Sequence, residues 1–214
     1  MKAAVARPLS VLDTMFARRS VRSFTPAVID SQTIRALLDA AVQAPTAMHL
    51  EPWAFVIVQG RDALKSLSDR AKGSWAAEAA KYWHLHPSLG DTERTFTQRF
   101  ASPDFCLFYD ANTLIAICAK PLGPFVAADC WLAAENLMLA AAGLGLGTCC
   151  IGSAVPVLNT ASVKRELSIP ADVEVVVPIV VGVAQEPGSP VSRKEPDIIH
   201  WQRAVHDSHQ DGRD

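Results

Sequence analysis

Two kinds of apolar spacing alternate along this chain, and together they predict a layered fold. Leu9, Leu12, Met15 and Phe16 fall on one face of a helix over Leu9–Arg18. Ile34, Leu37, Leu38 and Ala41 make the stripe of a second helix, N-capped by Ser31 and running to about Gln43 before Pro45 ends it. Short continuous apolar runs read as buried strands: Trp53–Val58, Thr113–Ala119, Gly147–Cys150 and Val173–Val183. Pro178 removes a ladder donor from the last of these, which predicts an edge position or a bulge there. Helices are expected between the strands, at Arg61 to about Lys72, at Phe125–Ala142 and at Asn159–Leu167. Gly73–Asp110 has no clear period. It holds Trp75, Trp83, His84 and His86, broken by Pro87 and Pro103, and helices and loop, arranged as a lid, are expected there. Helices alternating with about four strands predict an α/β or α+β layered fold, a central sheet covered by helices. No linker divides the chain, so residues 1–214 read as one domain, with a polar, frayed tail over 205–214.

Composition narrows this picture. The chain has 214 residues, enough for one sizeable core. Half of the residues are hydrophobic and the formal net charge is -2, so no general basic excess favours nucleic acid. Asp129 and Glu135 interrupt the most apolar helix, which argues against a membrane span and for burial in a core or dimer. The five cysteines are an odd number without zinc-knuckle spacing, and a core of this size needs no disulfide. A reducing, cytoplasmic setting is expected, with no metal site.

Three segments carry candidate chemistry. Arg18-Arg19-Ser20-Val21-Arg22 puts three guanidiniums and a hydroxyl in five residues, a set suited to bidentate contact with phosphate. In an extended turn, Arg18, Ser20 and Arg22 would point to one side. Alone, the cluster fits a solvated patch at a helix C-terminus better than a binding site, since cations are favoured there anyway. Ala44-Pro45-Thr46-Ala47-Met48-His49-Leu50-Glu51-Pro52-Trp53 leaves a helix and enters a strand, a kind of loop that often sits against a ligand. Gly143-Leu144-Gly145-Leu146-Gly147-Thr148-Cys149-Cys150-Ile151-Gly152 follows a helix and leads into a strand. That order is the reverse of a dinucleotide fingerprint, so these glycines are expected to cap the helix and to permit close packing.

Taken in order, these segments resemble the nitroreductase family of FMN enzymes. The resemblance rests on Arg-Arg-Ser-x-Arg-x-Phe (Arg18–Phe24), Ala-Pro-(x)6-Pro-Trp (Ala44–Trp53), Gly-Leu-Gly-Thr-Cys-Cys-Ile-Gly (Gly145–Gly152), a Val-rich strand ending Val-Gly-Val, and Arg193-Lys194. It covers about residues 10–196, except 73–110. It implies an α+β fold of the three-layer sandwich type, with a mostly antiparallel sheet of about four to five strands, in an intertwined or domain-swapped homodimer. It also implies roles. Arg18, Arg19 and Ser20 would hold the FMN phosphate and ribityl chain, joined by Arg193. Arg22 would approach the flavin N1/O2 edge, where a cation favours the reduced anion. Pro45, Thr46 and Ala47 would come from the second subunit, and the backbone of Ile151 and Gly152 would face flavin N5. The family often has Asn and Gln where this chain has His49 and Glu51.

His49 beside the flavin is a candidate proton donor, or equally a packing or interface residue. Cys149 and Cys150 read as buried small residues rather than a redox pair, and His84 and His86 find no third metal ligand. The resemblance implies an oxidoreductase that carries hydride from NADH or NADPH to a small acceptor, a nitroaromatic or quinone, by ping-pong kinetics. Reductive dehalogenation or flavin breakdown, and flavin binding without turnover, are the alternatives.

Overall fold

The computed structural model describes residues 10–85, 90–186, 188 and 191–202, and the backbone alone of 74–85, 90–94 and 96. Leu9, His86, Pro87 and the tail over 205–214 lie outside the described residues, as do the side chains of Trp75, Trp83 and His84.

Four antiparallel strands form the sheet: β1 (Trp53–Gln59), β2 (Thr113–Ala119), β3 (Gly147–Cys150) and β4 (Glu174–Gly182), in the order β1-β2-β4-β3. β2 and β3 have the bounds the apolar runs predict. β4 lies inside the sheet, so the expected edge position for Pro178 is wrong, while the expected bulge is present. The β2–β4 register shifts between Ile117 and Cys118, one residue from the pair Ala116–Pro178. The Pro178 carbonyl accepts from Ile151 N at 2.8 Å, just past the last β3 pair, Cys150–Ile179. In a strand, N and C=O of one residue face the same side, so the donor that proline lacks would have faced a ladder that has already ended.

Helices cover both faces. α2 (Ser31–Ala41) and α5 (Val126–Gly143) bury Leu37 and Leu137 against Ile115 and Ile179 on one side. α3 (Arg61–Leu85), α6 (Val155–Leu158) and α7 (Ala161–Glu166) bury Leu64, Leu67, Leu158 and Val163 against Leu114 and Val180 on the other. The result is a three-layer sandwich. α3 runs past the expected Lys72, and with α4 (Gly90–Ala101) it fills most of the stretch without a clear period.

Three local expectations are corrected. Asp30, not Ser31, caps α2, its Oδ1 accepting from Thr33 N at 2.8 Å. The helix expected at Asn159–Leu167 is α7, which starts two residues later at Ala161, because Thr160 caps it and the Asn159 amide side chain exchanges bonds of 2.9 Å with the Val175 backbone on β4. α1 (Val11–Ala17) forms behind a Ser10–Asp13 capping box, but its apolar side chains face outward: Val11, Leu12, Met15 and Phe16 are exposed, and Thr14 is the buried residue. Among the described residues no helix is long and apolar enough to cross a membrane.

Candidate functional site

The arginine turn is laid across the ends of β3 and β4. Ser20 bridges Thr148, Val21 N donates to Thr148 O at 2.9 Å, Phe24 bridges Ala184, and Thr25 N donates to Val183 O at 2.9 Å. Glycines make this possible. A Cβ on Gly147 would stand 2.6 Å from Val21 Cγ2, and one on Gly182 would stand 2.8 Å from Phe24 Cδ1. A Cβ on Gly188 would lie 2.7 Å from Arg19 Cβ. Real Cβ atoms do not approach so closely, so glycine at these places is a packing requirement of the arginine turn. Gly145 serves differently. At φ +75° it ends α5, with Leu146 N returning to Ala141 O at 2.8 Å. The expected capping and close packing are therefore carried by separate glycines of one motif.

The turn opens onto a cavity of about 450 Å3 lined by Arg19, Ser20, Arg22, Gly188, Val191 and Arg193. Residues from both ends of the chain thus meet at one place, and among the described residues no carboxylate lines it. Arg18 departs from the expected alternation. It sits at the helix end, where its side chain turns toward α5 and stands 3.6 Å from Glu135, so Arg19 rather than Arg18 lines the cavity with Ser20 and Arg22. The Arg19 guanidinium also donates to Phe16 O at 2.6 Å and Arg18 O at 2.8 Å, holding the turn closed.

The loop before β1 is built in the opposite way. Met48, His49 and Glu51 all have positive φ (52°, 56° and 46°), a conformation that costs non-glycine residues free energy. Ala47 N is held by Asp129 Oδ1 at 3.1 Å, and Asp129 is only 4% exposed. The two charges in the apolar α5 therefore each anchor one candidate segment, Asp129 the loop and Glu135 the arginine turn. His49 and Glu51 face each other at 3.6 Å, with the His49 side chain 92% exposed. Pro45, Thr46, Ala47 and His49 do not line the arginine cavity.

Past β3, Ile151 is buried and its N–H is committed to Pro178, while Gly152 is exposed with nothing within 4 Å of where a Cβ would stand. Of the two expected backbone donors, Ile151 is taken up inside the fold, and Gly152 lies at the exposed start of the turn after β3. Cys149 and Cys150, adjacent on β3, pack into opposite core layers. Burial pushes the Cys149 thiol up and Cys150 to about 11, which disfavours the reactive thiolate of each.

A second cavity of about 380 Å3 adjoins the first through Arg22, and Arg61, Arg99, Asp104, Tyr109 and Asp110 line it. Sequence patterns do not single these residues out, because α3, α4 and the turn after α4 converge only in the folded chain. The nearest signal is Arg99 close in sequence to Phe105 and Tyr109, a cation among aromatic residues.

A model of the nitroreductase family matches residues 15–183. A protein of Methanothermobacter thermautotrophicus, provisionally named an NADH dehydrogenase/NAD(P)H nitroreductase, is 25% identical over 91% of this chain and 88% of its own length. The crystal structure of a nitroreductase with bound FMN from Bacteroides fragilis is 28% identical, covers 92% of this chain and 100% of its own, and superposes with a TM-score of 0.73. An iodotyrosine deiodinase bound to FMN and 3-iodo-L-tyrosine shares the fold at 20% identity and a TM-score of 0.66, over 91% of this chain and 100% of its own. With its arginine turn, glycine floor and antiparallel sandwich all in place, the chain belongs to the nitroreductase family.

Proposed function

We propose that this chain is an FMN-dependent oxidoreductase that passes hydride from NADH or NADPH to a small acceptor such as a nitroaromatic or a quinone. The observation that carries this reading is the cavity where Arg19, Ser20 and Arg22 meet Arg193. Three guanidiniums and a hydroxyl, with no carboxylate among the described lining residues, fit a phosphate monoester, and Gly188 leaves Arg19 the room that a side chain there would take. Bound FMN supplies hydride exchange at a single place for a nicotinamide and then an acceptor, which gives ping-pong kinetics without a dedicated catalytic acid.

The protein's own part is to bind and orient. Arg19 and Arg193 hold the phosphate, Ser20 adds a hydroxyl, and Arg22 is the next cation along the cavity wall. Arg18, paired with Glu135, braces the turn beside them. Gly152 offers its N–H where the backbone leaves β3. Pro45, Thr46, Ala47 and His49 complete the site of a second copy in a homodimer. The exposed Val11, Leu12, Met15 and Phe16 of α1 and the half-exposed Trp131 and Leu132 of α5 support that assembly, since this much apolar surface calls for a partner. His49, facing Glu51 on that loop, is either a proton donor to the partner's site or an interface residue. The test is the visible spectrum of the purified protein. A yellow protein bleached by NADPH and restored by a nitroaromatic is expected, and a protein that stays colourless after FMN is added overturns the reading.

Reductive dehalogenation is the second reading, favoured by the fold shared with the iodotyrosine deiodinase. Steady turnover of nitroaromatics or quinones with NADPH counts against it. Flavin binding without turnover fails if NAD(P)H bleaches the flavin rapidly.

A further inference from the structure

The second cavity lies on the other side of Arg22 from Arg19, Ser20 and Arg193, and it shares only Arg22 with the first. Its three guanidiniums, Arg22, Arg61 and Arg99, form no ion pair with a described carboxylate, although Asp104 and Asp110 line the same cavity. Arg61 is tied to backbone, its Nε donating to Asp110 O at 3.0 Å. Arg99 is held by rings: its guanidinium carbon is 5.1 Å from the Phe105 centroid and 5.8 Å from that of Tyr109, and the two rings meet edge to face at 5.9 Å. Lys72 Nζ lies 6.0 Å from the Phe105 centroid. Tyr109 and Asp110 are consecutive residues in the left-handed region, at φ 54° and 57°. Such strain persists only where the surroundings hold it, and it gathers at ligand sites.

The chemistry of this cavity is mixed in a specific way. Guanidiniums take phosphate oxygens bidentately. Carboxylates accept from sugar hydroxyls and exocyclic amines. An arginine stacked on aromatic rings offers a flat face to a base. Among the described lining residues, three cations against two carboxylates leave a net positive charge. A plain carboxylate or nitro acceptor would use the cations and leave the two aspartates facing it unfavourably, whereas a nucleotide uses all three kinds of group.

We infer that this cavity binds the adenosine-phosphate half of the nicotinamide dinucleotide, with Arg99 as its principal contact. The inference rests on the reading of the chain as an NAD(P)H oxidoreductase, and it adds a place for the half of the co-substrate that takes no part in hydride transfer. Arg22, common to both cavities, links that half to the FMN site.

The test uses the FMN-loaded protein and Arg99→Gln. Calorimetry with 2′,5′-ADP, 5′-ADP and inorganic phosphate reads the cavity directly. At least one of the two adenosine diphosphates binds more tightly than phosphate, and Arg99→Gln weakens that binding about tenfold, the loss of roughly one charge-assisted contact. Loss confined to 2′,5′-ADP identifies the 2′-phosphate of NADPH as the group recognised, loss confined to 5′-ADP identifies the pyrophosphate, and loss of both identifies the 5′-phosphate that the two share. In kinetics, Arg99→Gln raises KM for the dinucleotide by a similar factor but leaves KM for reduced nicotinamide mononucleotide, which lacks the adenosine half, unchanged. The unchanged mononucleotide also shows that the variant is folded. Equal binding of phosphate and the adenosine diphosphates, or unaltered affinities and KM in Arg99→Gln, overturns the inference while the FMN reading stands. If instead the protein takes no FMN, the functional reading falls, and the same calorimetry on the flavin-free protein still tests the cavity.

Discussion

The arginine turn and the loop before β1 are the two segments that the sequence marks most strongly, and the chain treats them oppositely. Residues 18–25 are fixed by backbone bonds to β3 and to the segment after β4, and they rest on glycines whose missing side chains make room. Residues 44–51 carry three strained backbone conformations, lean on one carboxylate from α5, and point His49 into solvent. The first segment is held on every side within a single chain. The second keeps its strain at the surface, and the proposed homodimer would cover it there. Strain held in an exposed loop, without burial in return, is the physical sign of that difference.

The largest expected effect breaks the held side. Gly147→Val drives a branched side chain into Val21 and lowers stability by about 3 kcal/mol, the upper part of the usual cost of overpacking. FMN affinity falls with it, because Val21 can move only by displacing Ser20 and Arg22. Urea unfolding and an FMN titration on the same preparation check both. Asp129→Ala strikes the other side. It leaves the Ala47 N–H without its acceptor and costs about 2 kcal/mol, the penalty for an orphaned polar group. Asp129→Asn, which keeps a carbonyl oxygen, restores most of the loss.

Alkali separates the core from the loop. Burial holds Cys118 and Cys150 at about 11 and Cys130 at about 12, against a usual thiol value of 9.0. The folded state therefore keeps protons that the unfolded state gives up, so stability is fully present below pH 9 and falls as pH rises from 9 toward 11. Thermal melts across that range show a declining midpoint, and in Cys150→Ser the decline is shallower. The smallest effect has the opposite sign. Met48→Gly relieves a positive φ on the exposed loop and leaves stability unchanged or raises it by about 0.5–1 kcal/mol. Added bulk at a glycine on one segment is harmful, while glycine in place of bulk on the other is harmless. That pairing is the comparison in its sharpest form.

Much of this was legible in the chain, for identifiable reasons. Thr113–Ala119 and Gly147–Cys150 match their strands to the residue because buried strands leave unbroken apolar runs between breakers. Arg19, Ser20, Arg22 and Arg193 meet at one cavity as the family resemblance implies. The outward turn of α1 was not legible, since a helical period says that a face is apolar and not what covers it. Ser31 and Asp30 are both good capping residues one position apart, and only the bond to Thr33 distinguishes them. Arg18 and Arg19 exchange places because Glu135, more than a hundred residues away, draws Arg18 aside. Arg61 and Arg99 have no shared spacing to find, being brought together by helices whose periods are weak.

The central claim is that Arg19, Ser20 and Arg193 hold the FMN phosphate in the cavity that Arg22 also lines, and the most direct measurement compares FMN with riboflavin, which lacks the phosphate. By fluorescence quenching, the protein is expected to bind FMN at least 100-fold more tightly than riboflavin, the worth of about two charge-assisted contacts. Arg193→Ala should remove about tenfold or more of that preference while leaving riboflavin affinity unchanged. Equal affinity for the two flavins, or a preference untouched by Arg193→Ala, would contradict the account.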